Sequence, residues 1–308
     1  MKKNIFIALS TFGEFGKEPL EILNKSNISY QINPFGRRLR QEEVIELCKN
    51  ATGIVAGVEP YDYKVLKKLG SLKCISRAGV GLDNIDLNYA KERSIVIHNT
   101  PNVIVRPVVE LTISMILDLL KRITIQTIYM RENRWEKIAG NLLYGKRIGI
   151  IGTGRIGKKV CKYLNFFGAK VSAYDIIPDL KWSNKNNINY KKFEELVSDS
   201  DVLSIHASAS NDNTSIIGKD EVMLMKKGVF LINTARGNLI NEDAMIYGLN
   251  SKIIGGIALD VFPNEPYKGP LLSYDNVVLT PHIATLTSES RLQMEIEATN
   301  NLIQELKE

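Results

Sequence analysis

Cysteine and histidine are both scarce in this chain of 308 residues, at three each. Cys48, Cys74 and Cys161 lie far apart and form no C-x-x-C pair. That argues against a disulfide framework and for reduced thiols in a cytoplasmic setting. Long apolar runs are missing too. Even "LTISMILDLL" (111–120) is broken by Asp118 and flanked by Glu110 and Lys121. It falls short of the roughly 18 uncharged residues a membrane span needs, so no membrane partner is expected. The opening "MKKNIFIALS" imitates a signal peptide, but its apolar core of about five residues is shorter than the usual 7–15 and Glu14 follows soon after, so it reads as a first strand. Strong net charge is also absent. The formal charge is +6, and the densest basic run, "KWSNKNNINYKK" (181–192), is asparagine-rich and carries no nucleic-acid motif. It reads as a solvated loop, which leaves no nucleic-acid partner and a mild positive field suited to small anions. No metal is expected.

What is present is an ordinary globular composition, 44% hydrophobic and 24% charged, in a chain long enough for two domains. Short β-branched runs recur at 4–9, 28–32, 53–57, 72–76 and 95–99, with helix-like segments such as "QEEVIELCKN" and "YDYKVLKKLG" between them. A second series occupies 146–152, 170–175, 201–206, 228–233, 253–262 and 276–282. Strands alternating with helices predict right-handed crossovers and parallel sheets, an α/β protein with two doubly wound units. The segment 108–135 is apolar on nearly every face in its first half and predicts a buried helix. "SESRLQMEIEATNNLIQELKE" predicts a closing helix that Ser288 can cap.

The strand 148–151 runs straight into Gly152-x-Gly154-x-x-Gly157, a helix-like stretch follows, and the next strand ends at Asp175. Alone, G-x-G-x-x-G is a weak signal. Within a strand–turn–helix–strand unit it predicts a dinucleotide site, with the N–H groups of Arg155 and Ile156 facing a pyrophosphate. Asp175, 18 residues beyond Gly157, suits a ribose and repels a 2′-phosphate; Ile176 and Ile177 supply no compensating cation, so NAD is favoured over NADP.

Three further residues stand at successive strand ends of the same series: Arg236 in "NTARGNLI", Glu265 in "ALDVFPNEP" and His282 in "LTPHIA". An arginine grips a carboxylate through parallel hydrogen bonds, and a carboxylate beside an imidazole stabilises the charged ring. Taken singly, each is more often an ordinary residue than a catalytic one. His206, also at a strand end, has no acidic neighbour in sequence.

Together, "RAGVGLDNID" (77–86), "GKRIGIIGTGRIGKKV", "NTARGNLI", "GIALDVFPNEP" and "LTPHIA" resemble the D-isomer-specific 2-hydroxyacid dehydrogenase family over nearly the whole chain. The resemblance implies a Rossmann-type cofactor domain (102–283) inserted into a flavodoxin-like substrate domain (1–101 and 284–308), with the site in the cleft between them. It implies a homodimer built partly on the helix at 108–130. It makes Arg236, Glu265 and His282 catalytic and puts Asp260 at the nicotinamide end, with His206, Ala207, Thr234, Ala235 and Ala284 also on the cofactor side. It further implies that Arg77, Ala78, Gly79 and Val80 bind substrate together with Arg236 and His282, the N–H groups of Gly79 and Val80 meeting a carboxylate. Arg77 is most similar to 3-phosphoglycerate dehydrogenases, where this arginine helps to bind a phosphate; Arg134 and Lys137 could add charge from a partner subunit, and the plain reading of Arg77 is a structural ion pair.

The chain departs from that pattern at Arg106 in "VIVRPVVEL", at Ala207, where a proline is expected after the histidine, and at Ala284, where a glycine is usual. These departures bear on the substrate side. The expected substrate is a small anionic 2-hydroxy acid, 3-phosphoglycerate first and hydroxypyruvate, glyoxylate, D-lactate or a phosphonate analogue as alternatives. An NAD-sensing scaffold of the corepressor type is the reading from another class.

Overall fold

The computed structural model describes residues 3–208 and 214–307. The end of the "HASAS" stretch, Ala209 and Ser210, lies outside the described residues. Two compact units divide the chain: Met1–Val105 with Thr285–Glu308, and Arg106–Ala284.

The first unit contains β1 (Asn4–Ile7), α1 (Glu18–Lys25), β2 (Ser29–Ile32), α2 (Gln41–Cys48), β3 (Gly53–Ala56), α3 (Tyr63–Leu66), β4 (Cys74–Arg77), α4 (Leu87–Glu92) and β5 (Val96–His98). Its strands are parallel in the order β2-β1-β3-β4-β5, the arrangement of flavodoxin-like sheets. Side chains alternate across the pleat, so β1 sends Phe6 into one core with Val44, Val65 and Ile75. Ile5 and Ile7 enter the other core.

The second unit runs through α5 (Val105–Lys121), α6 (Ile123–Arg131), β6 (Arg147–Ile151), α7 (Arg155–Phe166), β7 (Lys170–Tyr174), α8 (Leu180–Asn186), β8 (Asn189–Tyr190), α9 (Phe193–Asp199), β9 (Val202–Ile205), α10 (Lys219–Leu224), β10 (Val229–Asn233), α11 (Glu242–Asn250), β11 (Ile254–Leu259) and β12 (Val277–Leu279). Its seven parallel strands are ordered β12-β11-β10-β9-β6-β7-β8, the doubly wound order with its switch between β6 and β9. The inner strands β9 and β10 are buried at every residue, as parallel strands covered on both faces must be. The chain then returns to the first unit as α12 (Ser288–Lys307), which packs on β3 and β4 with Ala298, Leu302 and Leu306 in the core.

Three sequence expectations need correction. The presumed loop 181–192 contains most of α8 and all of β8, a strand of two residues paired with β7. So short an edge strand has no periodicity to read, and its neighbour α8 is started by Asp179, whose side chain accepts from Trp182 N. The helix predicted at 108–135 breaks at Arg122, which takes a left-handed conformation (φ 59°). Asp118 fixes that break by accepting from both the N–H (2.8 Å) and the hydroxyl of Thr124, and α5 is not apolar all round, since Arg106, Glu110 and Ser114 are exposed. Finally, Thr287 rather than Ser288 caps α12, its Oγ1 accepting from Ser290 N at 3.2 Å.

Candidate active site

Strand register assembles the candidate residues. Ile151 on β6 pairs with Tyr174 on β7 and Ile205 on β9; Asn233 on β10 pairs with Ile205 and with Leu259 on β11; Leu259 pairs with Leu279 on β12. The residues that follow these positions, Gly152, Asp175, His206, Thr234, Asp260 and Thr280, therefore form one rank along the carboxyl edge of the sheet. That edge is where open α/β sheets gather ligands.

At its centre is the glycine turn. Gly152 has φ +92°, and a Cβ there would meet His206 C and Ala207 N at 2.7 Å, so only glycine lets β6 turn beneath β9. A Cβ at Gly157 would lie 2.0 Å from Gly152 O, which holds α7 close to the strand, whereas Gly154 faces open space. α7 begins at Arg155, so the first-turn N–H groups of Arg155 and Ile156 have no partner within the helix. Asp175 is half-buried. Its Oδ2 accepts from Thr153 N (2.6 Å) and Thr153 Oγ1 (2.8 Å), and Oδ1 from Ile177 N (3.0 Å). Burial pushes its carboxyl up, but these donors and Lys158 outweigh it and hold the group below its ordinary range. An open cradle at a helix start beside an ionised carboxylate fits a dinucleotide with an unphosphorylated 2′-hydroxyl.

His206 is pushed the other way. Half-buried at the end of β9, with Nε2 2.9 Å from Ser204 Oγ, its imidazole is driven down to about 4 by burial and stays neutral at neutral pH. Thr234 is buried, its hydroxyl 2.9 Å from that of Thr112 on α5, and Ala235 N donates to Asn233 Oδ1.

The three polar candidates belong to loops that touch. Asn233 closes the arginine loop, its Nδ2 donating to Arg236 O (2.8 Å) and its Oδ1 accepting from Ala235 N (3.0 Å). A Cβ on Gly237 would meet Phe262 C at 2.0 Å, so this loop is pressed against the one that carries Glu265. Phe262 N donates to Glu265 Oε1 (3.1 Å), and the carboxylate holds His282, with Nδ1 2.9 Å from Oε2 and 3.1 Å from Oε1. A carboxylate only accepts, so Nδ1 carries the proton and Nε2 is left for a ligand. His282 itself has φ 53°, uncommon outside glycine. Asp260, fully buried, accounts for that backbone: Oδ1 accepts from Thr280 Oγ1 (2.6 Å) and Ile283 N (2.8 Å), and Oδ2 from Ala284 N (2.9 Å).

The loop expected to bind substrate lies in the first unit. There Gly79 N, expected to meet a substrate carboxylate, donates to Thr100 Oγ1 (2.9 Å). The Arg77 guanidinium lies over Gly79, where a Cβ would be 1.7 Å from Nη1. Ala78 is buried, and Val80 O accepts from Asn99 Nδ2.

Sequence reading missed Thr153, Tyr190, Asn233 and Thr280. An asparagine at a strand end is a recognisable turn former, so Asn233 had a signal. Thr153 occupies a variable position of the glycine motif and had none.

Among the described residues no group of His, Cys, Asp and Glu is arranged to hold a metal, and no helix is long and apolar enough to cross a membrane. The sequence model of the D-isomer specific 2-hydroxyacid dehydrogenase NAD binding domain matches residues 113–284. The chain is 37% identical over 257 residues to a glyoxylate reductase of Thermofilum pendens, covering 80% of this chain and 75% of that one. It is 33% identical over 243 residues to a D-3-phosphoglycerate dehydrogenase of Bacillus subtilis, covering 78% of this chain and 46% of that one. In structure it is similar to a D-lactate dehydrogenase of Aquifex aeolicus complexed with NAD and lactic acid, with a TM-score of 0.86, 28% identity, and 99% and 97% of the two chains covered.

Proposed function

Because the chain belongs to the D-isomer specific 2-hydroxyacid dehydrogenase family, whose members are NAD-dependent oxidoreductases, we propose that it interconverts a short 2-keto acid and the D-2-hydroxy acid, with Arg236, Glu265 and His282 at the reacting centre. The observation that carries this reading is the Glu265–His282 contact, which occupies Nδ1 and leaves Nε2 for a ligand.

NAD, when bound at the glycine turn, supplies the hydride chemistry. The chain does the rest. Arg236 grips the substrate carboxylate, as a planar guanidinium does through paired hydrogen bonds. In reduction the proton on His282 Nε2 passes to the keto oxygen as C2 gains a hydride; in oxidation Nε2 takes the hydroxyl proton back. Glu265 stabilises the imidazolium at each stage when the ring carries both protons. Asp175 accepts from the ribose of NAD, and the apolar side chains of Ile176 and Ile177 stand beside it.

For the substrate, we favour a small unphosphorylated acid such as hydroxypyruvate or glyoxylate. Arg77 is directed at its own loop, its guanidinium lying over Gly79. Arg106 is paired with Glu110 at 2.8 Å, and Arg134 with Glu136 and Glu132. Cations already engaged with carboxylates are poor phosphate ligands. The second reading, 3-phosphohydroxypyruvate, is favoured by the arginine at position 77. We also propose a cytoplasmic homodimer joined through α6 and the chain after it, where Ile123, Met130, Trp135, Leu142 and Tyr144 are exposed; sedimentation of the pure protein tests it.

Following NADH absorbance with glyoxylate, hydroxypyruvate, pyruvate and 3-phosphohydroxypyruvate tests the activity. The expected order puts an unphosphorylated acid first. A kcat/KM for the phosphorylated acid about tenfold higher than for the others, lost in Arg77→Ala, would reverse the substrate choice. Turnover of none of the four acids would end the reading.

A further inference from the structure

The edge strand β8 brings Tyr190 into the coenzyme turn. We propose that Tyr190 is a positioning residue for Asp175, acting through the hydroxyl of Thr153, and that this relay sets the affinity for NAD. The inference rests on the reading of Asp175 as the ribose carboxylate.

The hydrogen bonds themselves give the relay its direction. Asp179 N lies 3.2 Å from Tyr190 Oη and can only donate, so the phenol oxygen accepts there. Its single proton then goes to its other neighbour, Thr153 Oγ1, at 2.7 Å. Thr153 accepts from the phenol and spends its own proton on Asp175 Oδ2, at 2.8 Å. Each hydroxyl thus donates once and accepts once, and all three bonds run toward the carboxylate.

Both ends are anchored. Asp179 is fixed by Trp182 N at 3.0 Å and by Lys158 Nζ at 2.5 Å. At the far end Thr153 N also donates to Asp175 Oδ2. With two donors on Oδ2 and the Ile177 N–H on Oδ1, the lone pair left for a sugar hydroxyl is on Oδ1. Thr153 is buried, so water does not replace a lost partner freely. Without the phenol hydroxyl, the threonine proton can turn away and the carboxylate loses one of the contacts that set its pose. The negative charge that repels a 2′-phosphate remains.

Steady-state kinetics on the whole enzyme, with NAD(H) and NADP(H) in turn, test this. Tyr190→Phe is expected to raise KM for NAD(H) about threefold to tenfold, the worth of one neutral hydrogen bond. Its kcat at saturating coenzyme should stay within about twofold of the parent, and its NADP(H) kinetics should not change. Thr153→Val should show the same loss, while Thr153→Ser, which keeps the hydroxyl, should keep the parental KM. Tyr190→Phe added to Thr153→Val should cost nothing more, because the relay is already cut.

A parental KM in Tyr190→Phe, additive losses in the double variant, or equal losses in Thr153→Ser and Thr153→Val would each overturn the relay. If Tyr190→Phe fails to fold, equal losses in Thr153→Ser and Thr153→Val still overturn the relay. Asp175→Ala tests the underlying reading separately. An unchanged NAD/NADP ratio there removes Asp175 from the ribose site and the relay with it, whereas a shifted ratio beside a parental Tyr190→Phe overturns the relay alone.

Discussion

Asp260 holds the turn that carries His282 from both sides. One carboxylate oxygen takes Thr280 Oγ1 before the histidine and Ile283 N after it, and the other takes Ala284 N. The histidine between them stands in a left-handed backbone conformation that a non-glycine residue rarely adopts without support. Asp260 was expected from the family resemblance to touch the nicotinamide end, and its hydrogen bonds give it a structural task as well.

Asp260→Asn keeps the size but sets an amide N–H against one of three donors. Hydrogen bonds to a buried charge are worth about 1.5–3 kcal/mol each, so unfolding stability should fall by about 2–4 kcal/mol. Turnover should fall at least about tenfold as Nε2 loses its aim. NADH affinity, read by fluorescence titration, should hold within about threefold if the clamp is the main role. A large loss of NADH affinity with stability intact would instead make Asp260 a coenzyme ligand.

His282→Asn removes the proposed proton carrier and keeps the ring position filled. General acid–base catalysis contributes about 10²–10⁴-fold, and kcat should fall by that order while NADH still binds. Glu265→Gln should lose less than His282→Asn, since the amide oxygen still accepts from Nδ1. Loss of coenzyme binding together with turnover in His282→Asn would show the histidine to be structural.

These residues differ in how far the sequence disclosed them. The parallel sheets were legible, because β-branched runs such as 229–233 and 202–205 are buried on both faces and carry their signal in every residue. Gly152, Gly157 and Asp175 were legible through their spacing. The clamp of Asp260 on residues 280–284 was not, since it depends on the register of β11 against β12, which no local pattern specifies. Tyr190 was hidden inside an asparagine-rich run that reads as solvated, and the break at Arg122 hangs on a side-chain contact from Asp118 to Thr124 rather than on any helix-breaking residue. Local chemistry shows in the sequence, whereas contacts made by register or by a single cap need coordinates.

Asp175→Ala removes the charge proposed to face the 2′ position of a bound coenzyme. The carboxylate is ionised throughout the working range, because its hydrogen bonds from Thr153 and Ile177 outweigh its burial. Without it the ratio of kcat/KM for NADP to that for NAD should rise about tenfold or more, mostly through lost NAD binding.

His206 makes the stability of the second unit fall in acid. Burial drives its imidazole down to about 4, whereas in the unfolded chain the ring titrates at its ordinary value, about 6.5. Between those values the unfolded chain binds a proton that the folded chain refuses, so stability falls as pH drops from about 6.5 to about 4 and is flat with respect to this group above about 7. At about 1.4 kcal/mol per unit the full loss is about 3 kcal/mol, which the ring's partial exposure reduces to about 2. Urea unfolding at about pH 7.5 and about pH 4.5 should show a steeper loss in the parent than in His206→Gln, which keeps a partner for Ser204 without a titrating ring. Parallel losses would mean that the histidine is not held neutral. On the proposed mechanism, the depression at His206 also separates the two histidines by role. A ring that stays neutral down to about 4 does not serve as the proton donor near neutrality, so His206→Gln should leave the pH–rate profile of the enzyme unchanged while His282→Asn removes the activity that the profile records.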